Sequence, residues 1–382
     1  MIGSGLFGTT FLTLDGGEIK NLIIVWSTVV ASLCYCHAAA NFLPPKHALT
    51  RALAILPIVS LFFLLPFNLT SVTLGTPSCF FIAWLASFKL FLFALGLGPL
   101  ASSPPLPLSS FIPLACLPIK FRKPVTVSAS GSTVLAAGTN VDPGSDKTRK
   151  SSLVGRAVKF VLLAVLIRGY GCRERMHPKV VLVLYGLHIY FVLELALVAV
   201  GYVAGRVSGV ELDPPFDEPH LATSLQDFWG RRWNLMVTNI MRPAVYDPVR
   251  AAWARIVPGR WARLAAVMAT FLVSGVMHEF VFYHMGREKP SGEALCFFLL
   301  HGACLGVEIW IKKSLVGKFK LPGYVSGPLV LSFLMVTSFW LFFPPMLKNK
   351  VDVKACNECL AFIETLKHHK LVSPNNITCP FF

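Results

Sequence analysis

Residues 264–282 read LAAVMATFLVSGVMHEFVF, an almost unbroken apolar run. As a helix at 1.5 Å per residue it spans roughly 28 Å, which is most of a bilayer's hydrocarbon core. The chain places His278 and Glu279 inside this run. An ionisable pair at that depth is costly, so the pattern favours a functional site within a membrane helix. The competing explanation is a histidine that merely bonds to a neighbouring helix.

The composition is that of a membrane protein. The 382 residues are 54% hydrophobic and 14% charged, with a mean hydropathy of +0.63. Soluble domains carry about 25% charged residues, so we predict an all-α polytopic membrane protein with about 8–9 transmembrane helices. The net charge of +16 comes from residues between the apolar runs. That distribution is typical of loops facing an anionic cytosolic leaflet, and no compact basic domain exists to bind nucleic acid.

The order of apolar and polar stretches divides the chain into four parts. We predict N-terminal transmembrane helices in 1–119, a basic disordered cytosolic linker in 120–152, a catalytic transmembrane core in 153–346 and a polar tail in 347–382. Arginines place the region 206–263 in the cytosol, so that the following apolar run leads outward.

Cysteines and glycosylation sequons are scattered through these parts. Most of the ten cysteines lie in apolar runs and are expected to be small core residues. Cys356 and Cys359 form a single CxxC motif, which is weak evidence for zinc, and the spacing indicates no disulfide scaffold. The uncharged connection after the second apolar run is expected to be lumenal. It begins with a sequon at Asn68, and a second sequon starts at Asn376; the use of either stays open.

A second informative stretch precedes the histidine run. Ser224 and Asp227 resemble a capping box and Arg242-Pro243 a stop, which predicts one helix from about Leu225 to Met241. On a 3.6-residue period this helix has a polar stripe (Asp227, Arg231, Asn234, Thr238) and an apolar stripe (Trp229, Trp233, Met236, Ile240). An interfacial amphipathic helix without chemistry would show the same pattern.

The absence of other catalytic motifs narrows the chemistry. The sequence contains no GxSxG elbow, no Walker A loop and no histidine-rich boxes. A histidine and an asparagine that share one chamber suit acyl transfer to a hydroxyl. A neutral imidazole removes the alcohol proton, and an amide orients the acceptor or supports the oxyanion. Ser274 and Gly275, one turn before His278, would let another helix or a ligand approach the imidazole.

Three motifs resemble the plant wax synthases, which are long-chain-alcohol O-fatty-acyltransferases of the membrane-bound O-acyltransferase superfamily. They are SLQDFWGRRWN (Ser224–Asn234), RPAVYDPVR (Arg242–Arg250) and SGVMHE (Ser274–Glu279). The resemblance extends to Phe342-Phe343-Pro344-Pro345 and to Phe88-Lys89-Leu90. It implies an enzyme of the endoplasmic reticulum with an intramembrane chamber, long-chain acyl-CoA as co-substrate and no further cofactor.

The resemblance also implies the site. His278 is expected to be the catalytic residue and Asn234 its partner, with no metal. The substrate-binding candidates are Trp229, Arg231, Arg232, Trp233, Thr238, Ser274 and Glu279. The acceptor is a fatty alcohol or, as in the sterol acyltransferase branch, a sterol. A transporter or lipid-binding protein without catalysis is the alternative from another class; it would predict paired half-helices or a repeat.

Overall fold

The structure, a computed structural model, describes residues 17–43, 47–102, 105–117, 153–208, 215–314, 321–369 and 372–381. This part of the chain is helical and contains no β-strand. The all-α prediction is therefore confirmed. The predicted linker 120–152 lies outside the described residues.

The first half of the chain supplies seven α-helices. They are α1 (Glu18–Phe42), α2 (Ala48–Leu64), α3 (Val72–Cys79), α4 (Ser87–Ala94), α5 (Leu108–Cys116), α6 (Leu153–Gly169) and α7 (Pro178–Ser208). A π-helical segment, Phe80–Ala86, joins α3 to α4, so that these three pieces form one membrane-length rod.

The second half carries the predicted site and supplies eight more. They are α8 (Leu225–Asp227), α9 (Leu235–Met241), α10 (Asp247–Trp253), α11 (Gly259–Gly286), α12 (Glu293–Ser314), α13 (Gly323–Thr337), α14 (Phe343–Lys348) and α15 (Val351–His368). Three further π-helical segments, Phe228–Arg232, Arg242–Tyr246 and Ser338–Phe342, lie between them.

Seven rods among the described residues are long and apolar enough to cross a membrane: α1, α2, α3–α4, α7, α11, α12 and α13–α14. Helix α6 has only 17 residues, yet it runs antiparallel to α7. Tyr170 packs on Tyr185 near one end, and Lys159 pairs with Glu194 further along. Helix α6 therefore packs lengthwise against α7 but, at 17 residues, is shorter than any of the seven rods.

Several helix ends meet at one face of the bundle, around the connection 67–73. The Glu18 carboxylate accepts hydrogen bonds from the Thr70 N–H and hydroxyl at 2.8 and 2.9 Å. The Arg287 guanidinium, just beyond α11, donates to the Leu69 carbonyl at 2.7 Å. Glu358 of α15 accepts from three donors of residues 71–73 and so closes the N-terminus of α3.

A disulfide joins Cys356 of α15 to Cys379 at this same face, which we call the disulfide face. The spacing of the cysteines did not indicate this bond, because it joins one cysteine of the CxxC motif to a distant one. Cys359 stays a free, exposed thiol. The opposite face, where α11 begins and α12 ends, carries Arg260 and Arg263 of α11 and Lys312 and Lys313 of α12; we call it the basic face.

The predicted single helix from Leu225 to Met241 was also wrong. Helical structure ends at Arg232, Trp233 is extended, and Asn234 adopts a left-handed conformation with φ +42° before α9 begins. Asparagine tolerates this conformation better than most residues, because its side chain bonds locally; here it accepts from the Val237 N–H. The predicted stop at Arg242-Pro243 is absent. Helical structure continues from α9 through the π-helical segment Arg242–Tyr246 into α10, and the wider turn accommodates a proline that cannot donate an N–H.

A buried lysine fixes the Pro-rich helix α5. Lys89 is 1% exposed and donates to the carbonyls of Leu114 and Leu117 at 2.6 and 2.7 Å. These carbonyls end α5, where the helix dipole favours a cation. The nine-residue α5 is therefore a short helix packed into the bundle and not a crossing of its own.

Candidate active site

His278 lies in the C-terminal third of the apolar helix α11 and is half-buried. Phe298 of α12 stacks on its imidazole, with ring centroids 4.2 Å apart. Trp84 and Phe342 pack edge-on against it at 5.1 and 5.8 Å. The imidazole is thus held between aromatic walls from three different rods.

The hydrogen bonding of His278 defines its tautomer. Nδ1 lies 2.7 Å from the carbonyl oxygen of Ser274, one turn earlier. A carbonyl oxygen only accepts, so Nδ1 carries the proton and donates it. Nε2 therefore has a free lone pair, and no hydrogen bond from the described residues reaches it. This is the arrangement that a neutral imidazole needs in order to remove a proton.

Three π-helical segments contribute aromatic side chains to this region. Trp84, Trp229 and Phe342 each lie in one of them. An i→i+5 turn re-aims side chains within a rod, and such turns are frequent at functional sites. The widened turns therefore bring large rings around one point on α11.

A second histidine, which the sequence reasoning missed, organises the opposite wall. His301 of α12 is fully buried. Its Nδ1 lies 3.2 Å from Trp229 Nε1, and its Nε2 lies 2.9 Å from Thr337 Oγ1. Indole N–H only donates, so Nδ1 must accept and Nε2 must carry the proton. The Thr337 hydroxyl in turn donates to the Phe333 carbonyl at 2.7 Å.

We call the chain of hydrogen bonds from Trp229 through His301 to Thr337 the tryptophan relay. Both nitrogens of His301 are occupied in it, so this histidine holds one tautomer and is not free to act as a base. The sequence could have identified His301 by the same signal that identified His278, namely an ionisable residue within an apolar run.

The tryptophan relay reaches both predicted catalytic residues. The Trp229 ring packs against Phe298, the stacking partner of His278, at 5.9 Å. The Trp229 carbonyl accepts from the Thr238 hydroxyl at 3.2 Å, which ties it to the helix that Asn234 caps. Among the described residues no hydrogen bond joins Asn234 directly to His278; the two are connected through this packing.

Two arginines precede Asn234, and the structure gives them different surroundings. Arg232 pairs with Asp227 at 2.7 Å and also donates to the Asp217 carbonyl. Arg231 is exposed. Both line a cavity of about 390 Å³ at the basic face, together with Thr223, Ser224, Gln226, Asp227 and Lys312. Arg231 is thus the one of the pair whose side chain is available to a ligand.

Two glutamate side chains accept hydrogen bonds from backbone N–H groups at the starts of neighbouring helices. Glu308 of α12 accepts from the backbone N–H groups of Leu225 and Gln226 at 2.7 and 3.2 Å, and Ser224 caps the same helix as predicted. Glu279, next to His278, accepts from the Leu295 N–H at 3.0 Å. These bonds satisfy N-terminal groups that a buried helix end would otherwise leave unpaired.

The remaining predicted residues line or support the same region. Trp233 stacks on Phe228, with centroids 5.4 Å apart. Gly275 allows α12 to approach α11, because a Cβ there would lie 3.0 Å from the Leu295 Cα. No group of three or more His, Cys, Asp or Glu side chains in the described part of the chain is placed to hold a metal ion.

Comparison with known proteins identifies the family of this chain. A profile of the membrane bound O-acyl transferase family matches residues 212–300, which include Asn234 and His278. The chain is 42% identical to acyl-CoA–sterol O-acyltransferase 1 of Arabidopsis thaliana, over 90% of this chain and 95% of that one. It is also 42% identical to a long-chain-alcohol O-fatty-acyltransferase of Simmondsia chinensis, over 89% and 94% of the two chains.

A third relative, the probable long-chain-alcohol O-fatty-acyltransferase 1 of Arabidopsis thaliana, is 43% identical over 92% of this chain and 98% of its own. The protein is therefore an integral, multi-pass membrane protein that belongs to the membrane-bound O-acyltransferase family. The resemblance seen in the sequence motifs is confirmed. A transporter is not supported, because these relatives are named as transferases over nearly their whole length.

Proposed function

We propose that this enzyme transfers the acyl group of a long-chain acyl-CoA to the hydroxyl of a long-chain fatty alcohol, which yields a wax ester and free CoA. The observation that carries the proposal is the free lone pair on His278 Nε2 among aromatic rings from three rods. A sterol is the second candidate acceptor, since the relative named for sterol is as similar as those named for long-chain alcohols.

The proposed reaction uses the His278 tautomer in which Nδ1 carries the proton and Nε2 is free. His278 Nε2 removes the proton of the alcohol hydroxyl while its oxygen attacks the thioester carbon. The carbon–sulfur bond then breaks, and the imidazolium returns the proton to the departing CoA thiolate. The Asn234 amide is assigned to orient the acceptor or support the oxyanion. A positioned base contributes typically about 10²–10⁴-fold to the rate.

Exclusion of water explains why an ester forms. Water is a competing acceptor that would hydrolyse the thioester. The walls around His278 are phenylalanine and tryptophan rings from three rods, and bilayer lipid surrounds them. A dry chamber favours the alcohol, which can partition into the membrane, over water. No cofactor is needed, because acyl-CoA supplies the activated acyl group.

The basic face provides an entry for the CoA head group. We assign Arg231 to the phosphates of acyl-CoA, because it is exposed and lines the cavity at that face. Arg232 is assigned a supporting role in the wall of this cavity, where it pairs with Asp227. Trp229 and Trp233 are assigned to the acyl-chain wall, and Thr238, Ser274 and Glu279 to the positioning of that wall and of the base.

The basic face is taken to be cytosolic by the positive-inside rule, with the enzyme in the endoplasmic reticulum membrane. The test uses microsomes from cells that lack their own neutral-lipid acyltransferases. These express the parent chain, His278→Ala or His284→Gln at matched levels. Labelled acyl-CoA is supplied with fatty alcohol, sterol or diacylglycerol. His284 is the control, since it lies on the same helix but packs near Phe67 and outside the chamber.

The parent and His284→Gln are expected to form wax ester, and His278→Ala to lose about 10²–10⁴-fold of that rate. Ester formation that survives His278→Ala would exclude this residue as the base. An equal loss in both variants would mean that α11 is perturbed as a whole. Label found only in sterol ester would establish the second candidate acceptor.

A further inference from the structure

The motif Asn376-Ile377-Thr378 has no part in the proposed reaction. It has the N-x-T form of a glycosylation sequon. In the structure the side chains of Asn376 and Thr378 are both exposed. Asn376 ends a short 3₁₀ turn, Pro374–Asn376, at the disulfide face. The acceptor amide and the hydroxyl that completes the sequon are thus both presented to solvent.

The cysteine that follows the sequon indicates its compartment. Cys379, one residue beyond Thr378, is bonded to Cys356 of α15. Structural disulfides persist in oxidising compartments such as the lumen of the endoplasmic reticulum and are rare in the cytosol. The clusters of Arg and Lys at the ends of α11 and α12 lie at the other face. The disulfide therefore indicates that this face is the lumenal one.

The two ends of the described chain lie at the same face. Glu18 at the start of α1 bonds to Thr70, and Glu358 of α15 bonds to Val72. Residue 376 is therefore on the lumenal side when the face of Glu18 is.

The other sequon, at Asn68, lies at the same face, but its polar side chains are hydrogen-bonded within the fold. Its Nδ2 donates to the Leu65 carbonyl at 3.1 Å, and the side chain is half-buried. Its Thr70 hydroxyl is held by Glu18 at 2.9 Å. Both polar groups of this sequon are used within the fold, close to the end of α2. Asn68 thus serves as a control for Asn376. It lies on the same side of the membrane, but its side-chain amide is half-buried and hydrogen-bonded.

We propose that the disulfide face is the lumenal face and that Asn376, and not Asn68, is N-glycosylated. In that transfer the Asn376 side-chain nitrogen bonds to the anomeric carbon of a lipid-diphosphate-linked oligosaccharide. The bond from that carbon to the diphosphate oxygen breaks, the amide loses one proton, and the lipid diphosphate leaves. The glycan stands at the face opposite the cavity assigned to CoA, so it does not obstruct substrate entry.

The experiment expresses the full chain, with an epitope tag after Phe382, in eukaryotic cells and measures its gel mobility with and without an endoglycosidase. The variants are Asn376→Gln, Thr378→Ala, Thr378→Ser and Asn68→Gln. We expect one glycan on the parent, on Thr378→Ser, which keeps the sequon, and on Asn68→Gln. We expect none on Asn376→Gln or Thr378→Ala.

Protease treatment of sealed microsomes provides the second measurement, because it reports sidedness without a glycan. The tag is expected to survive until detergent is added. A tag degraded in sealed microsomes would overturn the lumenal assignment and the modification together. A protected tag on a parent chain without glycan, or a glycan lost in Asn68→Gln, would overturn the assignment of Asn376. Ester formation by Asn376→Gln is expected to continue and is scored separately.

Discussion

The tryptophan relay makes a defined prediction for Thr337→Val. Valine has nearly the shape of threonine, so the substitution removes a hydroxyl with little change in packing. The lost hydroxyl accepts the Nε2 proton of His301 at 2.9 Å. His301 is fully buried, so water does not replace the acceptor. The other tautomer gives no relief, because an Nδ1 proton would then face the indole N–H of Trp229.

The magnitude follows from the cost of one unpaired buried donor, about 1–3 kcal/mol. At about 1.4 kcal/mol per tenfold, this corresponds to a 5- to 150-fold fall in the folding equilibrium constant. Thr270→Val is the matched control. The Thr270 hydroxyl also donates to the carbonyl four residues earlier, at 2.8 Å, but within the described part of the chain it receives no hydrogen bond from another helix.

The assay is thermal unfolding of purified protein in one detergent at one scan rate, together with the rate of ester formation. Thr337→Val is expected to unfold at a lower temperature than Thr270→Val and to lose more activity, because Trp229 packs against the stacking partner of His278. A double-mutant cycle with Trp229→Phe is expected to be non-additive. Equal behaviour of the two threonine variants, or full additivity in the cycle, would refute the relay.

Three further predictions concern single features of the fold. Asn234→Ala is expected to lose stability by about 1–2 kcal/mol from its left-handed backbone, whereas Asn234→Gly keeps the fold yet loses ester formation if the amide acts in the reaction. Cys356→Ser is expected to lower the unfolding temperature by breaking a bond worth about 2–4 kcal/mol; equal loss in Cys359→Ser, which removes a free thiol, would contradict this. Lys89→Met is expected to reduce the yield of folded protein, since it removes the donor to two carbonyls at the end of α5; a normal yield would contradict that role.

Much of the bundle could be predicted from the sequence because membrane helices are specified locally. An apolar run of sufficient length must satisfy its own backbone, so the run itself identifies the helix. His278 was identifiable for a related reason, since a costly polar residue in such a run needs an explanation. Ser224 was recognised as a cap because capping depends on the next three residues alone.

The features that the sequence did not reveal depend on distant partners. The disulfide pairs Cys356 with a residue 23 positions away, and spacing does not report which thiols meet. His301 gave the same signal as His278, but only the structure shows that Trp229 and Thr337 occupy both of its nitrogens. The antiparallel pairing of α6 with α7 likewise depends on contacts between residues that are distant in the sequence.

The break at Asn234 shows why local periodicity failed at the site itself. In a straight helix, residues nine apart are separated by roughly 13 Å along the axis, yet the Thr238 hydroxyl bonds to the Trp229 carbonyl. The chain folds back here because residues 215–217 bracket the break: the Asp217 N–H donates to the Arg232 carbonyl, and the Leu235 N–H donates to the Pro215 carbonyl. Helix propensity opposes such a turn, and only tertiary bonds of this kind maintain it. The geometry that joins Asn234 to the aromatic wall of His278 is therefore a property of the assembled core.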